Sequence, residues 1–230
     1  MSGCQTNYCP AQTEKYEQVP LAMLFTFIKR LIDIIGSSAL AFLFLPVWLI
    51  VPLLIKLDSP GPIFYLQKRV GQNGRSFRIF KFRTMITNAD EYWKKNPTLY
   101  EKFKKGSWKL TLDEDPRITR IGKVLRQTSI DEFPQVFNIL LGTMSLIGPR
   151  PVRDVEIADA IKRYGVSIKK DIDLALTAKP GLSGPWQVSG RNDIPWDKRL
   201  KIDADYARNR SLLRDFSIIL KTPLAMISKW

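Results

Sequence analysis

Two adjacent carboxylates, Asp131 and Glu132, stand in the run Leu125-Arg126-Gln127-Thr128-Ser129-Ile130-Asp131-Glu132-Phe133-Pro134-Gln135, just before the helical apolar pattern Phe137, Leu140, Leu141. Ser129 and Glu132 have the S-x-x-E spacing of a capping box. That frame places Asp131 in a first helical turn, where unpaired amides and the helix dipole favour an anion and lower a carboxylate's pKa. Capping alone would account for such a pair, because acids are common in first turns. Pro134 leaves the frame open: it removes an early intrahelical bond if Ser129 is the cap and is tolerated if Asp131 is. The chemical reading goes further. Adjacent helical residues diverge by about 100°, so one carboxylate can face a substrate while its neighbour holds a hard divalent ion such as Mg²⁺, which takes one or two carboxylates and completes its shell with water and phosphate oxygens. An ionised aspartate can itself attack phosphorus and form an acyl phosphate.

The rest of the composition suits phosphate chemistry. The 230 residues carry 36 Lys+Arg against 22 Asp+Glu, a formal net charge of +14, which points to polyanionic partners: nucleic acid, anionic lipid or phosphorylated substrates. Histidine is absent, which removes the usual general base and any Ser-His or Cys-His triad. The two cysteines, Cys4 and Cys9, lie in a polar N-terminal segment and form neither a metal set nor a disulfide framework. Arg126, Arg150 and Arg191 are candidates for phosphate contacts, since guanidinium forks match phosphate oxygens. Arg150 is stiffened between Pro149 and Pro151, and Arg191 follows Gly190. Any one of these arginines taken alone reads as a solvated surface residue. Gly71-x-x-Gly74 lacks the pattern, context and lysine of a nucleotide-binding loop. The aromatics interleaved with lysine over 77–108 carry no nucleic-acid module signature.

The elements that must position these residues begin with a polar tail over 1–22. The basic pair Lys29-Arg30 and Asp33 then lead into an uncharged apolar run from Ile34 to Ile55. The run has the length of a bilayer span and starts too late for a signal peptide. Pro46 and Pro52 interrupt it, and both flanks are basic, so a helix–break–helix that enters one leaflet and returns fits better than a straight span. Pro46 supplies the main break, and Ser37 or Ser38 could satisfy a freed carbonyl. Ile63–Gln67 and Phe77–Phe82 read as strands around the turn at 71–74. Helical patterns follow over 86–106, from Ile121, after the acidic pair, over 152–176 and over 198–210. An apolar segment from Phe216 to Trp230 suits a helix lying in a membrane interface.

This ordered set resembles the bacterial sugar transferase family, the monotopic polyprenyl-phosphate phosphoglycosyltransferases, over roughly residues 25–225. The shared pieces are Lys29-Arg30-x-x-Asp33, the proline-broken helix, Lys81-Phe82-Arg83-Thr84-Met85, Asp115-Pro116-Arg117-Ile118-Thr119, the Leu125–Gln135 run, Met144–Pro151 and Pro180–Asn192. Leu45 stands before Pro46, where members often have serine. The resemblance implies an α/β, mostly α fold. A re-entrant membrane helix over 23–57 joins a small cytoplasmic catalytic domain over 58–230 that has interfacial amphipathic helices. It implies a bacterial inner-membrane location, and the chain reads as a minimal catalytic unit. It implies that Asp131 attacks the sugar-linked phosphate of a UDP-sugar, releases UMP and passes the phospho-sugar to polyprenyl phosphate. Glu132 would ligate Mg²⁺, Arg126, Arg150 and Arg191 would contact phosphate, and Lys81 would lie in the family's basic strand. Lys29, Arg30 and Asp33 would sit at the membrane interface among inner-membrane phospholipids. The short exopolysaccharide-initiating type implies a hexose, galactose or glucose, with an N-acetylated sugar as the alternative. Nucleic acid is not an expected partner, and a homodimer is left open. The rivals are a membrane-tethered nucleic-acid binder, which the net charge motivates, and a scaffold whose acidic pair only caps a helix.

Overall fold

The computed structural model describes residues 13–105 and 110–227; Cys4, Cys9 and Trp230 lie outside the described residues. Helix α1 (Thr13–Leu43) begins within the segment expected as a tail, and α2 (Leu45–Asp58) follows after a 62° bend at Phe44. Pro46 in the first turn of α2 has no amide to return to the Phe42 carbonyl, which is why the helix breaks here. The Trp48 indole N–H donates to the Ala41 carbonyl at 3.1 Å, so Trp48 satisfies backbone at the break. Ser37 bonds one turn back in its own helix, to the Asp33 carbonyl at 2.6 Å. Among the described residues no single helix is long and apolar enough to cross a membrane, whereas this bent pair passes that test together.

The hairpin has two unlike faces. Val51 and Ile55 are buried against Phe82 and Leu125, each such burial stabilising by roughly 1.5–3 kcal/mol. Phe42 and Leu57 on the other face are 80% and 76% exposed, an apolar surface left uncovered among the described residues. The ends of the hairpin are fastened by side chains. Arg83 donates to the carbonyls of Ser59 (2.7 Å) and Pro60 where α2 ends, and Asp58 accepts the Ile121 amide at 3.0 Å.

Strands β1 (Phe64–Val70) and β2 (Ser76–Phe82) form an antiparallel hairpin around a 3-10 turn at Gln72–Gly74, with Lys81 opposite Tyr65. The charged aromatic stretch forms α3 (Glu91–Lys95) and α4 (Pro97–Lys105), where Trp93 stacks with Tyr100 and Phe103 and receives the Arg117 guanidinium 3.8 Å from its ring centre. Then come α5 (Arg120–Gln127), α6 (Gln135–Leu140) and β3 (Ser145–Ile147). The single helix expected over 152–176 is two, α7 (Asp154–Tyr164) and α8 (Ser167–Ala175), parted at Gly165, whose φ of 78° no continuing helix adopts. Strand β4 (Gly181–Ser183) pairs parallel to β3, and α9 (Pro185–Val188), α10 (Trp196–Arg208) and α11 (Leu212–Ile227) complete the chain. The β3–β4 junction explains the glycines of its two motifs: a Cβ on Gly148 would stand 2.1 Å from the Lys179 carbonyl oxygen. The architecture is mostly helical with two small sheets, an α/β arrangement.

Candidate active site

The backbone around the acidic pair takes neither of the frames left open by the sequence. Helix α5 stops at the Thr128 cap, and Ser129 adopts the left-handed region with φ 58°, a common way for a helix to end. Ile130–Glu132 then form a 3-10 turn, and Pro134 caps α6. Ser129 makes no side-chain cap bond, so the expected capping box is not formed, because the Glu132 carboxylate is drawn to a lysine on β2 instead. Asn138 of α6 fixes this turn against β2. Its side chain, 2% exposed, accepts the Phe80 amide at 2.9 Å and donates to the Arg78 carbonyl at 2.8 Å. Phe133 and Phe137, on either side of Pro134, pack on Trp48 of the hairpin at 5.2 and 5.0 Å.

The lysine is Lys81, whose Nζ lies 2.6 Å from Glu132 Oε1 and 3.9 Å from Asp131 Oδ2. Arg150 Nη2 is 3.7 Å from the same Glu132 oxygen. Arg126 from α5 donates through Nε to Thr84 Oγ1 at 2.9 Å. Arg191 sits in a 3-10 turn with φ 51°; burial lowers its pKa, and Glu132 lies near enough to oppose that shift. Lys81, Arg126, Asp131, Glu132, Arg150 and Arg191 all line one open cleft. The same cleft is lined by Ile32, Gly36 and Phe44 of the hairpin and by Ile219 and Pro223 of α11.

The two carboxylates are poised differently. Burial, helped by the neighbouring Glu132 charge, pushes the Asp131 carboxyl up to about 6 against the pull of Lys81, Arg126 and Arg150. The sequence frame predicted a lowered value; without a regular helix turn under it, desolvation wins. Burial opposes the charge on Glu132 as well, but Lys81 and Arg150 overcome it and hold the group down at about 2. Among the described residues Asp131 Oδ1 is buried without a hydrogen-bond partner. A half-desolvated carboxylate with one oxygen unsolvated is a stronger nucleophile than a solvated one.

Among the described residues no cluster of three or more Asp, Glu, Cys or His gathers for a metal. Mg²⁺ does not require one, since one or two carboxylates plus phosphate oxygens suffice. Lys81 and Arg150 share Glu132 Oε1, so the second Glu132 oxygen is the donor that fits such an ion, leaving Asp131 Oδ1 for the substrate.

Lys29, Arg30 and Asp33 carry their polar ends into the globular part rather than outward. Lys29 Nζ reaches Asp215 Oδ2 at 2.5 Å and the Ile147 carbonyl at 3.0 Å. Arg30 donates to the carbonyls of Ile139 (2.5 Å) and Leu140 (2.7 Å), the last residues of α6. Asp33, 3% exposed, accepts from Ser145 Oγ at 2.8 Å and from the Leu146 amide at 2.9 Å. Sequence reasoning passed over Thr84, Asn138 and Arg69, the last of which pairs with Glu156 at 3.2 Å beneath the Arg150 loop. Thr84 stood in the quoted Lys81–Met85 run and could have been singled out there; Asn138 and Arg69 carried no local signal.

The model of the bacterial sugar transferase family matches residues 24–229. The chain is 39% identical over 208 residues to the exopolysaccharide production protein ExoY of Rhizobium meliloti, covering 87% of this chain and 86% of that protein. It is 38% identical over 207 residues to the undecaprenyl-phosphate galactose phosphotransferase of Salmonella typhimurium, covering 88% of this chain and 41% of that one. It is also 39% identical over 202 residues to the UDP-N-acetylgalactosamine-undecaprenyl-phosphate N-acetylgalactosaminephosphotransferase of Aeromonas hydrophila, covering 86% of this chain and 43% of that one. The chain thus spans less than half the length of the latter two relatives.

Proposed function

The chain belongs to the bacterial sugar transferase family, and on that premise we propose that it transfers a sugar 1-phosphate from a UDP-sugar to undecaprenyl phosphate, initiating an exopolysaccharide or related glycan. The observation that carries this reading is the cleft itself. A buried carboxylate with one unpartnered oxygen, Asp131, stands among Lys81, Arg126, Arg150 and Arg191, and the same walls continue onto the apolar hairpin and α11.

Asp131 Oδ1 attacks the sugar-linked phosphorus, the bond from that phosphorus to the bridging oxygen breaks, and UMP departs with the electron pair. The aspartyl phospho-sugar is then attacked at the same phosphorus by an oxygen of undecaprenyl phosphate, which regenerates the free carboxylate and gives undecaprenyl-diphosphate-sugar. The arginines and Lys81 offset charge on the phosphoryl oxygens. Glu132 would hold Mg²⁺, and the ion when bound would neutralise charge on the substrate phosphates.

The exposed apolar faces of α1, α2 and α11, with Phe216 59% and Leu224 71% exposed, lie in the cytoplasmic leaflet of the inner membrane. The hairpin is re-entrant, with Pro46 and the Trp48–Ala41 bond making the turn inside lipid. The sugar is a hexose, galactose or glucose, as in the name of the Salmonella relative; the name of the Aeromonas relative carries the alternative of an N-acetylated sugar.

The test is UMP release by the purified chain in lipid nanodiscs with undecaprenyl phosphate and Mg²⁺, across UDP-galactose, UDP-glucose, UDP-N-acetylglucosamine and UDP-N-acetylgalactosamine. One donor is expected to give UMP and a lipid-linked product, and Asp131→Asn to give neither. Full activity in Asp131→Asn would overturn the assignment.

A further inference from the structure

Near Arg150 lies a buried ion pair that has no part in the proposed reaction. Arg199 and Asp203, one turn apart on α10, are 6% and 2% exposed, with Arg199 Nε 3.7 Å from Asp203 Oδ2. This pair is poorly made for stability: the separation is long, Asp203 Oδ1 lacks a hydrogen bond among the described residues, and both charges are desolvated. An apolar pair of the same volume would cost the fold less, so a local task is the simpler reason for its presence.

The surroundings identify the task. Asp203 lines a small cavity with Pro149, Arg150 and Pro151, and burial pushes its carboxyl up to about 6 against the pull of Arg199. The Arg199 guanidinium lies 4.9 Å from the Trp186 ring centre and 4.2 Å from that of Trp196. The Arg150 guanidinium lies 5.2 Å from the same Trp186 ring and reaches on to Glu132. Arg150 is therefore flanked twice: it lines one small cavity with Asp203, and its guanidinium meets a Trp186 ring that Arg199 also engages. Its flanking prolines limit φ but do not fix the direction of a long side chain.

We propose that Asp203 and Arg199 are positioning residues that hold Arg150 toward the carboxylate pair and the transferred phosphate, with Trp186 as the shared platform. This rests on the proposed reaction. Cation–ring and ion-pair contacts are directional enough for the loss of either to let Arg150 swing out of reach, while leaving substrate contacts made by Arg126 and Arg191 intact.

The test is a double-mutant cycle on UMP release in nanodiscs, using the donor to which the wild type responds. Asp203→Asn and Arg199→Met are placed singly in the wild-type chain and in an Arg150→Ala chain, and the melting temperature of each protein is recorded. In the wild-type background each change should lower kcat/KM roughly 10-fold or more, and in Arg150→Ala by less than about 2-fold, because the group they aim is gone. The double variant Asp203→Leu/Arg199→Met, an apolar pair of similar volume, should melt no lower than the wild type while still losing activity. Equal fold losses in both backgrounds, or losses that simply follow a falling melting temperature, would make the pair structural and overturn the proposal. Trp186→Phe gives a milder second arm: it keeps a ring and should cost activity only where Arg150 is present. A wild type that releases UMP from no donor would instead overturn the proposed function, and the positioning role with it.

Discussion

Replacing Lys81 by methionine removes the one cation, among the described residues, within 4 Å of both carboxylates and keeps the side chain's length. At 3.9 Å from Asp131 Oδ2 and an effective dielectric of about 20, the lost attraction is at most about 4 kcal/mol, or roughly 3 pKa units. Water entering the vacated space reduces this to roughly half, so Asp131, already at about 6, should move up by about 1.5 to 3 units. Its nucleophilic form is the ionised one. The wild-type pH profile of kcat/KM, which reports the free enzyme, should therefore rise through about pH 6 and level above it, whereas that of Lys81→Met should rise between about pH 7.5 and 9. At pH 7 the expected loss is between about 4-fold and 100-fold, shrinking as pH increases. Initial rates of UMP release from pH 5 to 9.5, at fixed ionic strength and Mg²⁺, measure this directly. A loss of the same size at every pH, with the inflection still near 6, would mean that Lys81 only binds phosphate and would refute the electrostatic argument.

Other expectations follow from the same contacts. Because burial raises the folded-state pKa of Asp131 above its ordinary value, the folded state holds its proton after the unfolded chain has lost it. Ionisation therefore erodes stability as pH climbs from about 4 past 6, by up to about 3 kcal/mol. Asp131→Asn should consequently melt higher than wild type at pH 8, equally at pH 4, and release no UMP; a lower melting temperature at pH 8 would contradict the desolvation reading. Arg30→Ala deletes two charge-assisted bonds to the end of α6 and should cost about 2–4 kcal/mol in chemical denaturation; an unchanged midpoint would show those bonds to be idle. With native cysteines removed, single cysteines placed at residues 2 and 60 should label from the same side of inverted membrane vesicles, and labelling from opposite sides would replace the re-entrant hairpin by a kinked span.

Much of this protein was legible along the chain because the relevant physics is local. The break follows from a proline without an amide, the β1–β2 hairpin from alternation around a glycine-containing turn, and the chemical candidacy of Asp131 from a carboxylate pair in a basic chain without histidine. Even the Gly148 and Pro180–Gly184 motifs carried their order, though not the strand pairing that forbids side chains there. The frame of the acidic pair was not legible, because a left-handed Ser129 and a 3-10 turn are set by what α5 and α6 pack against rather than by the pattern of the intervening residues.

The sequence by itself determined which groups are available for phosphate chemistry and where the chain can bend, since those depend on residue type and neighbours. Only the tertiary structure decided which charges meet. It brought Lys81 to Glu132 across 51 positions of chain, turned Lys29, Arg30 and Asp33 inward onto β3, α6 and α11, and set burial against charge so that Asp131 and Glu132 part in pKa. Desolvation and Coulomb attraction act through space, and distances between side chains far apart in sequence exist only once the chain has folded.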